Sequence, residues 1–85
     1  MYNKKYTLEK IEEFNGHNPV YEDMEGCTCY LAYLNPGERG WFLYETFFGQ
    51  MTHRVHTSVI KDVQYTRGNQ VIVTTNNTRL TFVLE

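Results

Sequence analysis

The stretch Val71-Ile-Val-Thr-Thr-Asn-Asn-Thr-Arg-Leu-Thr-Phe82 decides the fold, because it reads as two β-strands joined by a two-residue turn. Asparagine tolerates the positive φ that a type I′ turn requires at both central positions, so the Asn-Asn pair at 76–77 is predicted to form that turn. The turn places Val73 opposite Leu80, and the large apolar residues of both strands then share one face. The sequence therefore predicts a half-buried hairpin from residues 70–75 and 78–84.

A second hairpin precedes the first and shares its middle strand. Residues 61–66 and 70–75 flank the turn-forming run Arg67-Gly68-Asn69. A three-residue loop places Val63 opposite Val73 and keeps the apolar face, whereas a two-residue loop would expose the hydrophobic side chains. The pattern predicts the three-residue loop.

The N-terminal segment has a different spacing of apolar residues. Thr7 is a suitable N-cap, and Leu8, Ile11 and Phe14 form a stripe at helical spacing. These residues predict a short helix over 8–14. After Pro19 the pattern becomes that of β-structure.

The predicted fold is therefore mainly β, in one domain over residues 1–85. A short N-terminal helix is followed by a six- or seven-stranded antiparallel meander, with a corner at Thr57-Ser58. Closure into a small SH3-like barrel is favoured, because closure removes exposed strand edges. The alternative is an open antiparallel sheet with the helix on one face, an α+β fold. The predicted strands are 20–24, 28–34, 41–48, 52–56, 61–66, 70–75 and 78–84.

Composition limits the classes of function. The 85 residues include 8 basic and 10 acidic side chains, giving a net charge of −2. General nucleic-acid binders gain affinity by neutralising phosphates, so this balance disfavours nucleic acid as a partner. A nucleic-acid-binding small barrel remains a further alternative. The sequence has no run typical of a signal peptide or spanning helix, so we expect a cytoplasmic location and no membrane partner.

Two strands, 28–34 and 41–48, are apolar on both faces. Aromatic side chains make up 15% of the chain, and one small core can hardly hide all those on these strands. We therefore expect a non-enzymatic binding protein that uses an aromatic surface to bind a protein partner or a second copy of itself, as a homo-oligomer. The predicted surface consists of Tyr30, Tyr33, Trp41, Tyr44 and Phe48.

A dense polar cluster follows in the segment His53-Arg-Val-His-Thr-Ser58. Imidazoles, a guanidinium and hydroxyls so close together can bind an anionic ligand. An alternative function is therefore binding or sequestering a small nucleotide-type ligand, with an aromatic side chain stacked on the base. The other interpretation is a purely structural corner. The predicted ligand residues are His53, Arg54, His56, Thr57 and Ser58, joined by Arg39 from a hairpin loop.

Metal binding and catalysis receive less support. Cys27 and Cys29, with His53 and His56, supply four zinc-competent side chains, but a Cys-x-Cys pair on a strand is a poor clamp. We therefore predict no metal or other cofactor, and two reduced thiols. Ser58 has no glycine-framed nucleophile turn around it, so the sequence predicts no catalytic residue and no enzyme.

The runs R-V-H-T-S-V-I-K-D-V at 54–63 and V-T-T-N-N-T-R-L-T-F at 73–82 resemble short uncharacterised proteins of Gram-positive bacteria and their phages. The resemblance covers the C-terminal third and implies no known activity. If the phage link holds, it implies an accessory or counter-defence role by stoichiometric binding.

Overall fold

The computed structural model describes residues 4–45 and 52–85, and its six strands form one closed barrel in chain order. All neighbouring strands are antiparallel, and the first strand pairs with the last to close the barrel. The predicted closed β-barrel is confirmed, and the open sheet is wrong. The strands are β1 (Tyr6–Glu13), β2 (Thr28–Tyr33), β3 (Arg39–Glu45), β4 (Thr52–Tyr65), β5 (Gln70–Thr75) and β6 (Thr78–Leu84), with a 3-10 helix at Pro19–Tyr21.

The register of the three C-terminal strands is confirmed. Val73 lies opposite both Val63 and Leu80, and Val71 lies opposite Phe82. Val71, Val73, Leu80 and Phe82 are all buried. The alternation of side chains along a strand therefore fixes this part of the barrel, since a shift of one residue would turn every one of them to solvent.

The turn between β5 and β6 has the predicted length but a different conformation. Neither Asn76 nor Asn77 has a positive φ, so the type I′ prediction is wrong. Instead, the hydroxyl of Thr75 accepts the backbone N–H groups of Asn77 and Thr78, both at 3.0 Å. A threonine side chain thus replaces part of the backbone bonding of the turn.

The predicted helix over 8–14 is wrong, because most of this segment belongs to β1. A β-bulge follows Leu8 and inserts one extra residue into the strand. Leu8 lies opposite Phe82 and Ile11 lies opposite Leu80, so both face inward although they are three positions apart. The bulge produces the spacing that resembles a helical stripe.

The predicted strand over 20–24 is also wrong. Its first residues belong to the 3-10 helix, which Asn18 caps by accepting the N–H of Val20 at 3.1 Å. Tyr21 and Met24 are both buried. Their spacing of three follows from this tight turn and does not fit a strand.

The predicted strands 52–56 and 61–66 are one continuous strand, β4. At the expected corner, Gly40 of β3 lies opposite two residues of β4, Thr57 and Ser58. The Thr57 hydroxyl accepts the N–H of Gly40 at 2.9 Å and donates to the carbonyl of Ser58 at 2.7 Å. The corner is therefore a β-bulge within the strand, and not a break between two strands.

The aromatic hairpin differs slightly from its predicted bounds. β2 ends at Tyr33 and β3 begins at Arg39, within the predicted loop. The described part of β3 ends at Glu45, so Phe48 lies outside the described residues. Across residues 4–45 and 52–85, no helix has the length and apolar character needed to span a membrane.

The core lies inside the barrel and draws on every strand. The rings of Phe42 and Phe82 meet edge to face, with centroids 5.2 Å apart. Core packing leaves the polar residues of the β4 bulge at the edge of the barrel, where they meet the segment after β1. The buried apolar residues are Leu8, Tyr21, Met24, Cys29, Phe42, Val55, Ile60, Val71, Val73, Leu80 and Phe82.

Candidate functional site

An open polar cleft of about 400 Å³ lies beside the bulge of β4. Three parts of the chain line it: the segment 13–21 after β1, the β3–β4 bulge, and the turn between β5 and β6. Four of the six predicted ligand residues meet in this cleft, namely Arg39, His56, Thr57 and Ser58.

Arg39 is the cation of the cleft. Its Nε donates to the carbonyl oxygen of Thr57 at 3.0 Å, which fixes the side chain at the bulge. Among the described residues, no carboxylate lies within ion-pair distance of this guanidinium. Its terminal amino groups are therefore placed to meet an anion from solvent.

Ser58 provides a hydroxyl group next to Arg39. Its Oγ accepts a hydrogen bond from the Asn77 side chain at 2.8 Å, and Asn77 in turn accepts one from Asn15 at 2.8 Å. Because this bond uses a lone pair of Ser58, the hydroxyl proton remains for a ligand oxygen. Thr57 has a different role, since its buried hydroxyl is engaged within the bulge.

The segment 13–21 forms the opposite wall, and Glu13 holds it in place. The Glu13 carboxylate accepts the backbone N–H of Asn18 at 2.6 Å and a ring nitrogen of His17 at 2.9 Å. The Asn18 bond, with the His17 contact, holds the pKa of Glu13 below its ordinary value. The hydrogen bond between His17 and Glu13 raises the pKa of His17 above its ordinary value. The negative charge of Glu13 is therefore engaged within the wall.

Sequence reasoning did not identify the other lining residues, among them the polar side chains of Glu13, Asn15, His17 and Asn77. The erroneous helix ended just before this polar segment, and Asn77 was assigned only to a turn. The available signal was the polar run Asn15-Gly-His-Asn18, which has no apolar residue to bury.

The remaining two predicted ligand residues lie outside the cleft. The guanidinium of Arg54 lies over the ring of Trp41, 4.4 Å from its centroid. The ring of His53 lies against Tyr44, with centroids 5.4 Å apart. These contacts place Arg54 and His53 among the aromatic residues of β3.

The predicted aromatic surface lies partly on the outside of the barrel. The row of Phe42 and Val55 faces the core, so the flanking row of Tyr33, Trp41 and His56 faces outward. Tyr33 is 40% exposed and its hydroxyl donates to a carboxylate of the following loop, that of Glu38, at 2.5 Å.

The other two described members differ from each other. Tyr30 lies opposite Leu43 in the next outward-facing row, and its hydroxyl bonds the Glu45 carboxylate. That bond raises the pKa of Tyr30. Tyr44 instead packs against the core, so it contributes less to an outer surface than its sequence position indicates.

The four zinc-competent side chains form no site. Cys27 and Cys29 are free thiols, and the Cys27 thiol donates to the carbonyl of Asp23 at 3.5 Å. Burial raises the pKa of Cys29 to about 12, which disfavours the thiolate that metals bind. Among residues 4–45 and 52–85, no group of three or more histidine, cysteine or acidic side chains is placed to hold a metal ion. The His53 ring lies against Tyr44, and His56 lines the polar cleft.

Three comparisons set this chain against known proteins. No family model, no curated protein and no solved structure matches it.

Proposed function

We propose that this chain is a non-enzymatic binding protein whose cleft takes a small anionic ligand. The observation that carries the proposal is the placement of Arg39, which the Thr57 carbonyl holds beside Ser58 and His56. The proposal includes an SH3-like barrel as the scaffold and a cytoplasmic location.

The polar groups of the cleft suit an oxyanion. Arg39 offers a planar set of N–H donors, and Ser58 offers a hydroxyl proton. The Glu13 carboxylate on the other wall already accepts two hydrogen bonds, which reduces its repulsion of an anion. Binding is favoured over catalysis because the Ser58 oxygen accepts from an amide, whereas a nucleophilic serine donates to a general base.

The test is a calorimetric titration with inorganic phosphate and pyrophosphate. We expect saturable binding to the wild-type chain and an affinity about tenfold lower or worse for Arg39→Gln, because charge-assisted hydrogen bonds are lost. The matched control is Arg67→Gln, which removes an exposed arginine from the β4–β5 loop. Absence of binding, or equal affinity of Arg39→Gln and the control, would refute the proposal.

A second candidate function is binding of a protein through the outer face of β2, β3 and β4. The observation that favours it is the Trp41–Arg54 stack with Tyr33 beside it, because interface centres are enriched in tryptophan, tyrosine and arginine. This candidate commits to a second copy of the chain. The second candidate includes an accessory or counter-defence role by stoichiometric binding.

Sedimentation equilibrium over a range of concentrations tests the second candidate. We expect a dimer that Tyr33→Ala weakens and that Tyr65→Ala leaves intact, since Tyr65 is 74% exposed on a different part of β4. A monomer at all concentrations, or equal effects of the two substitutions, would count against self-association through this face.

A further inference from the structure

We propose that the ligand of the cleft is a nucleotide, with its phosphate at Arg39 and its base against the Trp41–Arg54 stack. This inference rests on the proposed function and adds the chemical class of the ligand.

The cleft and the Trp41–Arg54 stack adjoin each other. His56 lines the cleft, and it lies directly opposite Trp41 in the β3–β4 pair. Side chains in that relation have Cβ atoms about 5 Å apart. A ligand whose phosphate occupies the cleft therefore reaches the stack through a linker of sugar size.

The stack has the chemistry that a nucleobase requires. The Arg54 guanidinium lies 4.4 Å from the centroid of the Trp41 ring, so a cationic plane covers an aromatic one at the surface. Both groups stack on nucleobases, and neither requires a particular base. Arg54 is exposed, so its outward side is accessible to a ligand.

Charge also favours a nucleotide. Arg39 lines the cleft, and the Arg54 guanidinium lies over Trp41 on the adjoining outer face. The Glu13 carboxylate, which lines the cleft, is paired with the His17 ring at 2.9 Å. A phosphate and its base thus meet cationic groups at both ends of the ligand.

The experiment compares ligands that contain one or both parts of a nucleotide. The four ribonucleoside 5′-monophosphates, ribose 5-phosphate and the free nucleosides are titrated calorimetrically. We expect at least one monophosphate to bind about tenfold tighter than ribose 5-phosphate, because stacking adds to phosphate binding. Trp41 is the only tryptophan of the chain, so its fluorescence reports directly on the base. We expect quenching by that monophosphate and none by ribose 5-phosphate.

Two variants locate the two halves of the ligand. Arg39→Gln should weaken the monophosphate and ribose 5-phosphate alike. Arg54→Gln should lower the affinity for the monophosphate to that for ribose 5-phosphate. It should leave the affinity for ribose 5-phosphate unchanged. The thermal midpoint of each variant should fall only slightly, because both arginines are exposed and each loses one surface contact.

Failure of this inference is distinguishable from failure of the proposed function. If ribose 5-phosphate binds and no base improves its affinity or quenches Trp41, the nucleotide proposal is overturned while the anion cleft stands. If Arg54→Gln weakens both ligands equally, the base does not lie against the stack. If nothing that carries phosphate binds, both proposals are overturned.

Discussion

Replacing Gly40 by alanine tests the close approach of β2 to β3 beside the bulge. A Cβ atom at Gly40 would lie 2.5 Å from the carbonyl oxygen of Tyr33 and 2.7 Å from Cδ1 of Ile60. Ile60 can relieve its contact by changing rotamer, but the Tyr33 oxygen belongs to the neighbouring strand. The substitution therefore forces β2 away from β3 at Gly40. On its other side, Gly40 donates its N–H to the Thr57 hydroxyl of β4.

The magnitude follows from the cost of overpacking. An extra methyl group in a packed interior costs about 1–3 kcal/mol, and a clash with backbone belongs at the upper end, about 2–3 kcal/mol. A chain of this length has a total stability of roughly 4–13 kcal/mol, so Gly40→Ala removes a large part of it. The thermal midpoint should fall by roughly 10–20 °C.

Urea denaturation followed by far-UV circular dichroism measures this loss. The control is Gly68→Ala, because the nearest atom to a Cβ there is the Thr66 hydroxyl oxygen at 3.9 Å, an ordinary contact. The control should change the free energy of unfolding by less than about 0.5 kcal/mol. If Gly40→Ala unfolds at the same urea concentration as Gly68→Ala, the close approach of β2 and β3 is refuted.

Three further expectations concern the bulge, the cleft wall and the thiols. Thr57→Val should cost about 1–3 kcal/mol in urea denaturation, because it leaves the buried N–H of Gly40 without an acceptor. His17→Gln should destabilise the chain most between about pH 5 and 6.5. The pKa of His17 is raised in the folded chain, so its contribution to stability is fully present below its ordinary pKa of 6.5 and is lost as the pH rises through the raised pKa. In the native chain a thiol reagent at pH 8 should modify Cys27 and spare Cys29, whose pKa of about 12 follows from burial.

Each of these expectations has its own control. Thr74→Val changes a half-buried threonine of β5 and should cost little; a cost equal to that of Thr57→Val would contradict the role of the bulge hydroxyl. Glu13 sets the lower limit of this pH range, because its pKa is lowered in the folded chain. The stability that the Glu13 carboxylate contributes is present above its ordinary pKa of 4.5 and is lost as the pH falls through the lowered pKa. A constant penalty from pH 5 to pH 8 would argue against the ion pair. Cys27→Ser should make the native chain unreactive, and labelling of that variant would show that Cys29 is accessible.

The C-terminal half of the barrel could be predicted because simple alternation governs it. Val63, Val73 and Leu80 lie in one cross-strand row, and the loop lengths follow from keeping them on one face. The conformation of the β5–β6 turn could not be predicted from its asparagines, because the Thr75 hydroxyl supplies the hydrogen bonds instead.

The errors fall where bulges interrupt the alternation. Because of the bulge after Leu8, Leu8 and Ile11 lie on the same face of β1 although they are three positions apart. This strand therefore has the apolar spacing of a helix. The bulge at Thr57 and Ser58 has the polar sequence of a corner but lies within a continuous strand. No local pattern distinguishes these cases, because a bulge is defined by the strand opposite.

The side of the cleft formed by Arg39 and the β4 bulge could be predicted from the sequence. The polar cluster on β4 pointed to His56 and Ser58, and the bulge does bring them to Arg39. The residues of the opposite wall, such as Glu13 and His17, could not be assigned, because they reach the site only through barrel closure. Arg54 faces outward like His56, but its guanidinium lies over the Trp41 ring and does not line the cleft.

Two-dimensional ¹H–¹⁵N spectra of the labelled chain, titrated with inorganic phosphate, test most directly whether the cleft at the β4 bulge binds an anion. We expect saturable shifts of the amides of Gly40, Ser58 and Asn77, with the amides of the loop at 67–69 unchanged. Shifts spread over the exposed lysines and arginines without saturation, or none near the bulge, would contradict it.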